Sequence, residues 1–173
     1  EAASYPTSYI PTYSVSATRA VDSCSKADAS SNIGQTEGTV FFEWDYQNIG
    51  SVGGNIPISL AGVSGKELYF WVQGNGNYIY DVYNSGVQAS ITGLMGSFGT
   101  KKIALAYKNN DFALYINGVL AGIDTSGSVP TLDRLYIGGY ALNTNYNISS
   151  GINQVLLYKE RLTNAELATL TTI

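Results

Sequence analysis

The sequence predicts an all-β protein: two antiparallel sheets packed as a sandwich or jelly roll, closed by one short C-terminal helix. Three observations predict it. The 173 residues include 19 Gly and 14 Tyr but only 13% charged residues, a balance that suits pleated, half-buried surfaces joined by many turns. About eleven short runs alternate apolar and polar residues at close spacing, with polar or Gly-rich turns between them. And Asn117-Gly118 sits between apolar runs, where a two-residue type I′ turn, with φ > 0 at both positions, makes a tight hairpin.

In order, residues 1–16 carry Pro6 and Pro11 among small polar residues and read as an extended connector. Its Tyr5, Tyr9, Ile10 and Tyr13 suit a segment laid along a surface or a neighbouring subunit. The domain is expected to span 17–173. Ala17 to Cys24 reads as a first strand. In Gly38 to Tyr46, Val40, Phe42, Trp44 and Tyr46 share one face, and Phe41, Glu43 and Asp45 the other. Pro57 to Ala61 is a short strand. Glu67 to Gln73 sets Leu68, Phe70 and Val72 against Tyr69 and Trp71, and Tyr78 to Tyr83 returns after a Gly-Asn-Gly-Asn turn. Gly86 to Thr92 follows.

The stretch from Lys101 to Asp124 reads as three strands. Ile103, Leu105 and Tyr107 share a side. The Asn117-Gly118 turn then sets Ile116 opposite Val119, Leu114 opposite Ala121 and Phe112 opposite Ile123, giving a continuous apolar face. Arg134 to Gly138 and Ile152 to Lys159 are the last strands. Thr163 to Leu170 is the helix, since Thr163-x-x-Glu166 forms a capping box.

Composition also excludes. The net charge is −4, and no run of Lys or Arg exists, which argues against nucleic-acid binding. No apolar run approaches the length of a membrane span. The chain has no His, which removes His-dependent triads and the usual general base. Cys24 is the sole cysteine and is expected to be a small buried hydrophobe.

Sugars need an aromatic platform for their apolar faces and amide or carboxylate partners for their hydroxyls. The stretch from Tyr69 to Tyr83 is rich in both. If Tyr69 and Trp71 are the outer pair, Trp71 with Tyr78 or Tyr80 could stack a sugar, with Asp81 and Gln73 as hydrogen-bonding partners. The alternative, that these aromatics are core or bury against another subunit, stays open. Tyr140, Asn143, Asn145, Tyr146 and Asn147 form a second candidate, with the Tyr/Asn chemistry of antibody paratopes.

Four segments carry a family resemblance: Lys102 to Tyr107, Phe112 to Val119, Leu135 to Gly139, and Gly151-x-Ile-x-x-Val-x-x-Tyr158 with the ending Arg161 to Leu167. Their order and spacing resemble the C-terminal strands of a concanavalin A-like lectin/glucanase jelly roll, in its laminin G/pentraxin-like branch. Residues 1–12 with Ala17 to Asp22 are similar to the connector that precedes such domains in bacteriophage tail and fibre proteins.

The resemblance implies a non-catalytic module on the virion, outside the cell, that recognises a host-surface glycan. Alternatively it implies a structural decoration or assembly module that contacts other virion subunits, in a homotrimer for instance. Relatives often bind calcium at a loop rim, and Ca²⁺ takes hard oxygen ligands. Asn109, Asn110 and Asp111 are the candidates in one turn, with Asp81 and Asn84, and Asp124, as others. No other cofactor is implied. Jelly-roll glucanases carry Glu-x-Asp-x-x-Glu or Glu-x-Asp-x-Glu on one strand. Here Glu43-Trp44-Asp45-Tyr46-Gln47 offers Gln at the third position, and an amide cannot serve as acid or base. No catalytic residue is therefore expected, and a glycoside hydrolase is the third and least favoured reading.

Overall fold

A computed structural model describes residues 24–47, 54–140, 146, 148 and 150–173. Its strands are β1 (Cys24–Lys26), β2 (Glu37–Tyr46), β3 (Asn55–Ala61), β4 (Lys66–Val72), β5 (Asn77–Asn84), β6 (Val87–Leu94), β7 (Gly99–Lys108), β8 (Phe112–Ile116), β9 (Val119–Asp124), β10 (Arg134–Ile137) and β11 (Ile152–Tyr158). The helix α1 (Asn164–Leu170) follows. All pairings are antiparallel. One sheet has six strands in the order β1-β10-β3-β4-β5-β6, and the other has five in the order β11-β2-β7-β8-β9. This is a two-sheet jelly-roll sandwich. The connector at 1–16 and the run from Ala17 to residue 23 lie outside the described residues.

Alternation decides which side chains fill the space between the sheets. Val40, Phe42, Trp44 and Tyr46 of β2, Leu68, Phe70 and Val72 of β4, and Ile103, Leu105 and Tyr107 of β7 all enter one buried cluster. Phe42 meets Phe70 edge-on across the sandwich, their ring centroids 5.7 Å apart. Burying a side chain of this size stabilises the fold by about 1.5–3 kcal/mol. Two tyrosines tie the interior together with hydrogen bonds. The Tyr80 hydroxyl donates to the Ala106 carbonyl at 3.2 Å, and that of Tyr107 to Gly34 at 3.1 Å. On the outer face of the five-stranded sheet α1 packs over β7 and β8, where Ala104, Ala106, Ala113 and Tyr115 receive Leu167.

The helix starts where its capping box places it. The Thr163 side chain accepts from the Glu166 N–H, and Glu166 Oε2 accepts from the Thr163 N–H at 2.8 Å. Asn117 and Gly118 take positive φ, 51° and 80°, as the tight turn requires. Ile116 then faces Val119 and Tyr115 faces Leu120, but a bulge follows. Leu114 faces Gly122 and Phe112 faces Asp124. The expected pairs Leu114–Ala121 and Phe112–Ile123 are therefore displaced by one residue, and Val119 and Ile123 are exposed. The cause lies across the sandwich edge: a Cβ at Gly122 would collide with Ile91 of β6, so the register puts the glycine there. Cys24 also departs from expectation. It opens the edge strand β1 and is exposed.

Candidate functional site

Among the described residues no helix covers the outer face of the six-stranded sheet, and β4 and β5 set aromatic rings on it. Because Leu68, Phe70 and Val72 point inward, Glu67, Tyr69 and Trp71 point outward. Cross-strand register puts Tyr83 opposite Glu67, Asp81 opposite Tyr69 and Ile79 opposite Trp71. Tyr69 and Tyr83 lie nearly parallel, centroids 6.0 Å apart. The segment after β10 adds two more rings. Tyr140 meets Tyr69 edge-on at 5.6 Å, Tyr146 meets Trp71 edge-on at 5.7 Å, and the two are 6.2 Å from each other. The two stretches that the sequence offered as separate candidates thus form a single patch of five half-buried rings.

Two carboxylates are set into it. The Tyr69 hydroxyl donates to Asp81 Oδ2 at 3.1 Å, and the Tyr140 hydroxyl donates to Glu67 Oε2. Asp81 is 8% exposed, and its Oδ1 is buried without a hydrogen-bond partner. Burial pushes both phenols well above their usual range, and Asp81 beside Tyr69 and Glu67 beside Tyr140 push them further. Both stay protonated as donors. Next to Trp71 the same face dips into a shallow cavity of about 340 Å³, lined by Gln73, Asn77, Ile79, Thr92 and Leu94 with Tyr78 and Gly93 beneath. A second cavity, of about 410 Å³, lies between α1 and Tyr158, on the other sheet and away from the aromatic patch.

Of the residues singled out from sequence, Trp71, Tyr69, Asp81 and Tyr146 come together here. Tyr78 and Tyr80 do not. They are 5% and 1% exposed and face the core, because alternation along β5 puts them with Val82 and against Asp81. That same alternation, counted from Asp81, identifies Tyr83 as the aromatic of the outer face. Glu67 left no signal beyond its place two residues before Tyr69. Asn143, Asn145 and Asn147 lie outside the described residues.

The loop-rim oxygens are used within the fold. Asn109 Oδ1 accepts from the Val129 N–H at 2.7 Å, and Asn110 Oδ1 from that of Gly127 at 3.1 Å. Asp111 Oδ1 pairs with the Arg161 guanidinium at 2.8 Å, so a cation at this turn would meet a resident positive charge. Asp124 accepts from the Ser90 and Ser126 N–H groups and from the Ser126 hydroxyl. Among the described residues, no cluster of three or more acidic, His or Cys side chains is placed to hold a metal ion. Glu43 and Asp45 share the outer face of the five-stranded sheet, but the Asn153 amide donates to both, at 3.3 and 3.1 Å. Gln47, the third member of that motif, is exposed beyond the end of β2.

No protein-family model and no curated protein matches the chain. Solved structures do match. The carbohydrate-binding module CBM40 of the Ruminococcus gnavus IT-sialidase, bound to α2,3-sialyllactose, superposes with a TM-score of 0.64 at 17% identity, over 84% of this chain and 86% of that one. The heptameric SAP-like pentraxin of Limulus polyphemus gives 0.59 at 15%, over 77% and 68%. The NanB sialidase of Streptococcus pneumoniae gives 0.67 at 14%, with 86% of this chain on only 26% of that enzyme. The fold is a concanavalin A-like jelly roll. At these identities the likeness is one of fold, and function has to be argued from the site.

Proposed function

We propose that this chain is a non-catalytic carbohydrate-binding module, and that the outer face of the six-stranded sheet is its sugar site. The observation that carries the reading is the patch of Tyr69, Trp71, Tyr83, Tyr140 and Tyr146 with Glu67 and Asp81 set into it. Rings supply apolar platforms for sugar C–H faces, and the carboxylates and the Gln73 and Asn77 amides supply hydroxyl partners. Structural neighbours that bind sialyllactose with the same fold support it. The proposal extends to the setting: a host-recognition module of a bacteriophage tail or fibre, exposed on the virion. That part draws its support from the connector-like residues 1–12 and 17–22.

A glycan array read with the whole chain and with Trp71→Ala tests the sugar site. Wild type gives a hit, and the variant loses roughly tenfold or more of its affinity, on the scale of removing an aromatic anchor at a binding site. Unchanged binding by a folded Trp71→Ala protein would place the site elsewhere.

A second reading, an assembly module that contacts other virion subunits, rests on β9. This edge strand of the five-stranded sheet exposes Val119, Leu120 and Ile123, and exposed apolar edges invite pairing with another chain. A trimer in light scattering that Ile123→Lys dissociates would favour it.

A further inference from the structure

This inference rests on the carbohydrate-binding reading and narrows the ligand by charge. Strand register assigns each charged side chain of the six-stranded sheet to a face. Glu67 and Asp81 point outward among the rings, on neighbouring strands and two rungs apart. Lys26 lies opposite the inward-facing Leu135. Lys66 lies opposite Asn84, with its Nζ donating to Thr131. Arg134 is the one cation on the outer face of the described sheet. It stands two strands from Glu67 and is ion-paired with Asp133 at 3.5 Å. Lys101, Lys102 and Lys108 belong to the other sheet, and Lys159 and Arg161 follow its edge strand. The undescribed positions 48–53, 141–145, 147 and 149 contain no charged residue, and Arg19 falls in the undescribed 1–23.

Among the described residues, the patch therefore carries two carboxylates and no free cation of its own. Neither carboxylate is neutralised by its phenol partner, since a protonated phenol carries no positive charge. Asp81 Oδ1 adds a buried acceptor that nothing in the described fold satisfies, and such a group costs stability until a donor reaches it. Aromatic faces attract cations through their quadrupoles, and a charged donor makes a stronger hydrogen bond to a carboxylate than a neutral hydroxyl does. A carboxylate-bearing sugar would meet like charge instead.

We propose that the sugar taken by this face carries a free ammonium group, an amino sugar, and that acidic sugars are discriminated against. Neighbours of this fold were solved with sialyllactose, an acidic sugar, bound, so the preference is argued from this chain's own charges and not from the fold.

The experiment is a calorimetric titration of the whole chain with three probes: a β1,4-glucosamine tetramer, its fully N-acetylated counterpart and 3′-sialyllactose. The amine binds roughly tenfold or more tightly than the acetylated tetramer, as expected when a charge-assisted bond replaces a neutral one, and sialyllactose binds weakest. In Asp81→Asn, an isosteric change checked for folding by near-ultraviolet circular dichroism, the amine loses its advantage over the acetylated tetramer. Equal or tighter binding of the acetylated or sialylated probe overturns the charge assignment and leaves a sugar site standing. The same holds if Asp81→Asn keeps the preference for the amine. Binding of none of the three overturns the inference; a glycan-array hit that Trp71→Ala abolishes would then preserve the broader reading, and its absence would remove both.

Discussion

At the scale of single residues, alternation divides two neighbouring sets of aromatics between a surface patch and the core. Trp71 and Tyr69 face outward; Tyr78 and Tyr80 face the core. Tyr80 spans the sandwich and hydrogen-bonds the Ala106 carbonyl of the opposite sheet. Tyr80→Phe is expected to cost about 1 kcal/mol of stability, the net worth of one buried hydrogen bond, and to leave glycan affinity unchanged. Denaturant melts and a glycan titration of one variant check both halves. A loss of affinity without a loss of stability would return Tyr80 to the site. The sequence reading grouped Tyr78 and Tyr80 with Asp81, although period two puts Asp81 with Ile79 and Tyr83. The outer position of Tyr69 and Trp71 was legible once the core face of Leu68, Phe70 and Val72 was known. The unsatisfied Oδ1 of Asp81 was not, because it depends on what the neighbouring side chains leave without a donor.

At the scale of elements, turns and loops are fixed by side-chain oxygens, which accounts for the many Asn and Asp residues at strand ends. Asp124 closes β9 and ties it to β6 through the Ser90 N–H at 3.1 Å. Burial raises its carboxyl, but hydrogen bonds from the Ser126 hydroxyl, the Ser90 N–H and the Ser126 N–H together outweigh that and hold it below its ordinary 3.8. A lowered folded value means the contact stabilises the fold above the ordinary carboxylate range and is lost as pH falls through the lower folded value. Stability should therefore drop below about pH 4, and Asp124→Asn should flatten that limb relative to wild type. Parallel acid limbs in the two proteins would show that another group controls it. The positions of the strands from β2 onward and the capping box followed directly from alternation and from Thr163 and Glu166. The bulge in β9 did not, because Gly122 answers to Ile91 on the other sheet and no local pattern encodes that meeting.

At the scale of the whole molecule, the described helix packs on one sheet, and the aromatic patch lies on the outer face of the other. The fold was readable because strands such as β2, β4 and β5 state their inward face by alternation and the turns between strands are chemically explicit. The site was readable only in part, since it is assembled from β4, β5 and the segment after β10, and the rings of Tyr140 and Tyr146 reach Tyr69 and Trp71 across more than sixty residues of chain. The central claim is that the outer face of the six-stranded sheet takes a glycan. The measurement that bears on it most directly is an NMR titration of the whole chain with a glycan that it binds. Perturbations confined to Glu67–Trp71, Ile79–Tyr83, Tyr140 and Tyr146 are the predicted result. Perturbations centred on Val119–Ile123 of β9 or on Glu43 and Asp45, with the aromatic patch unmoved, would contradict it.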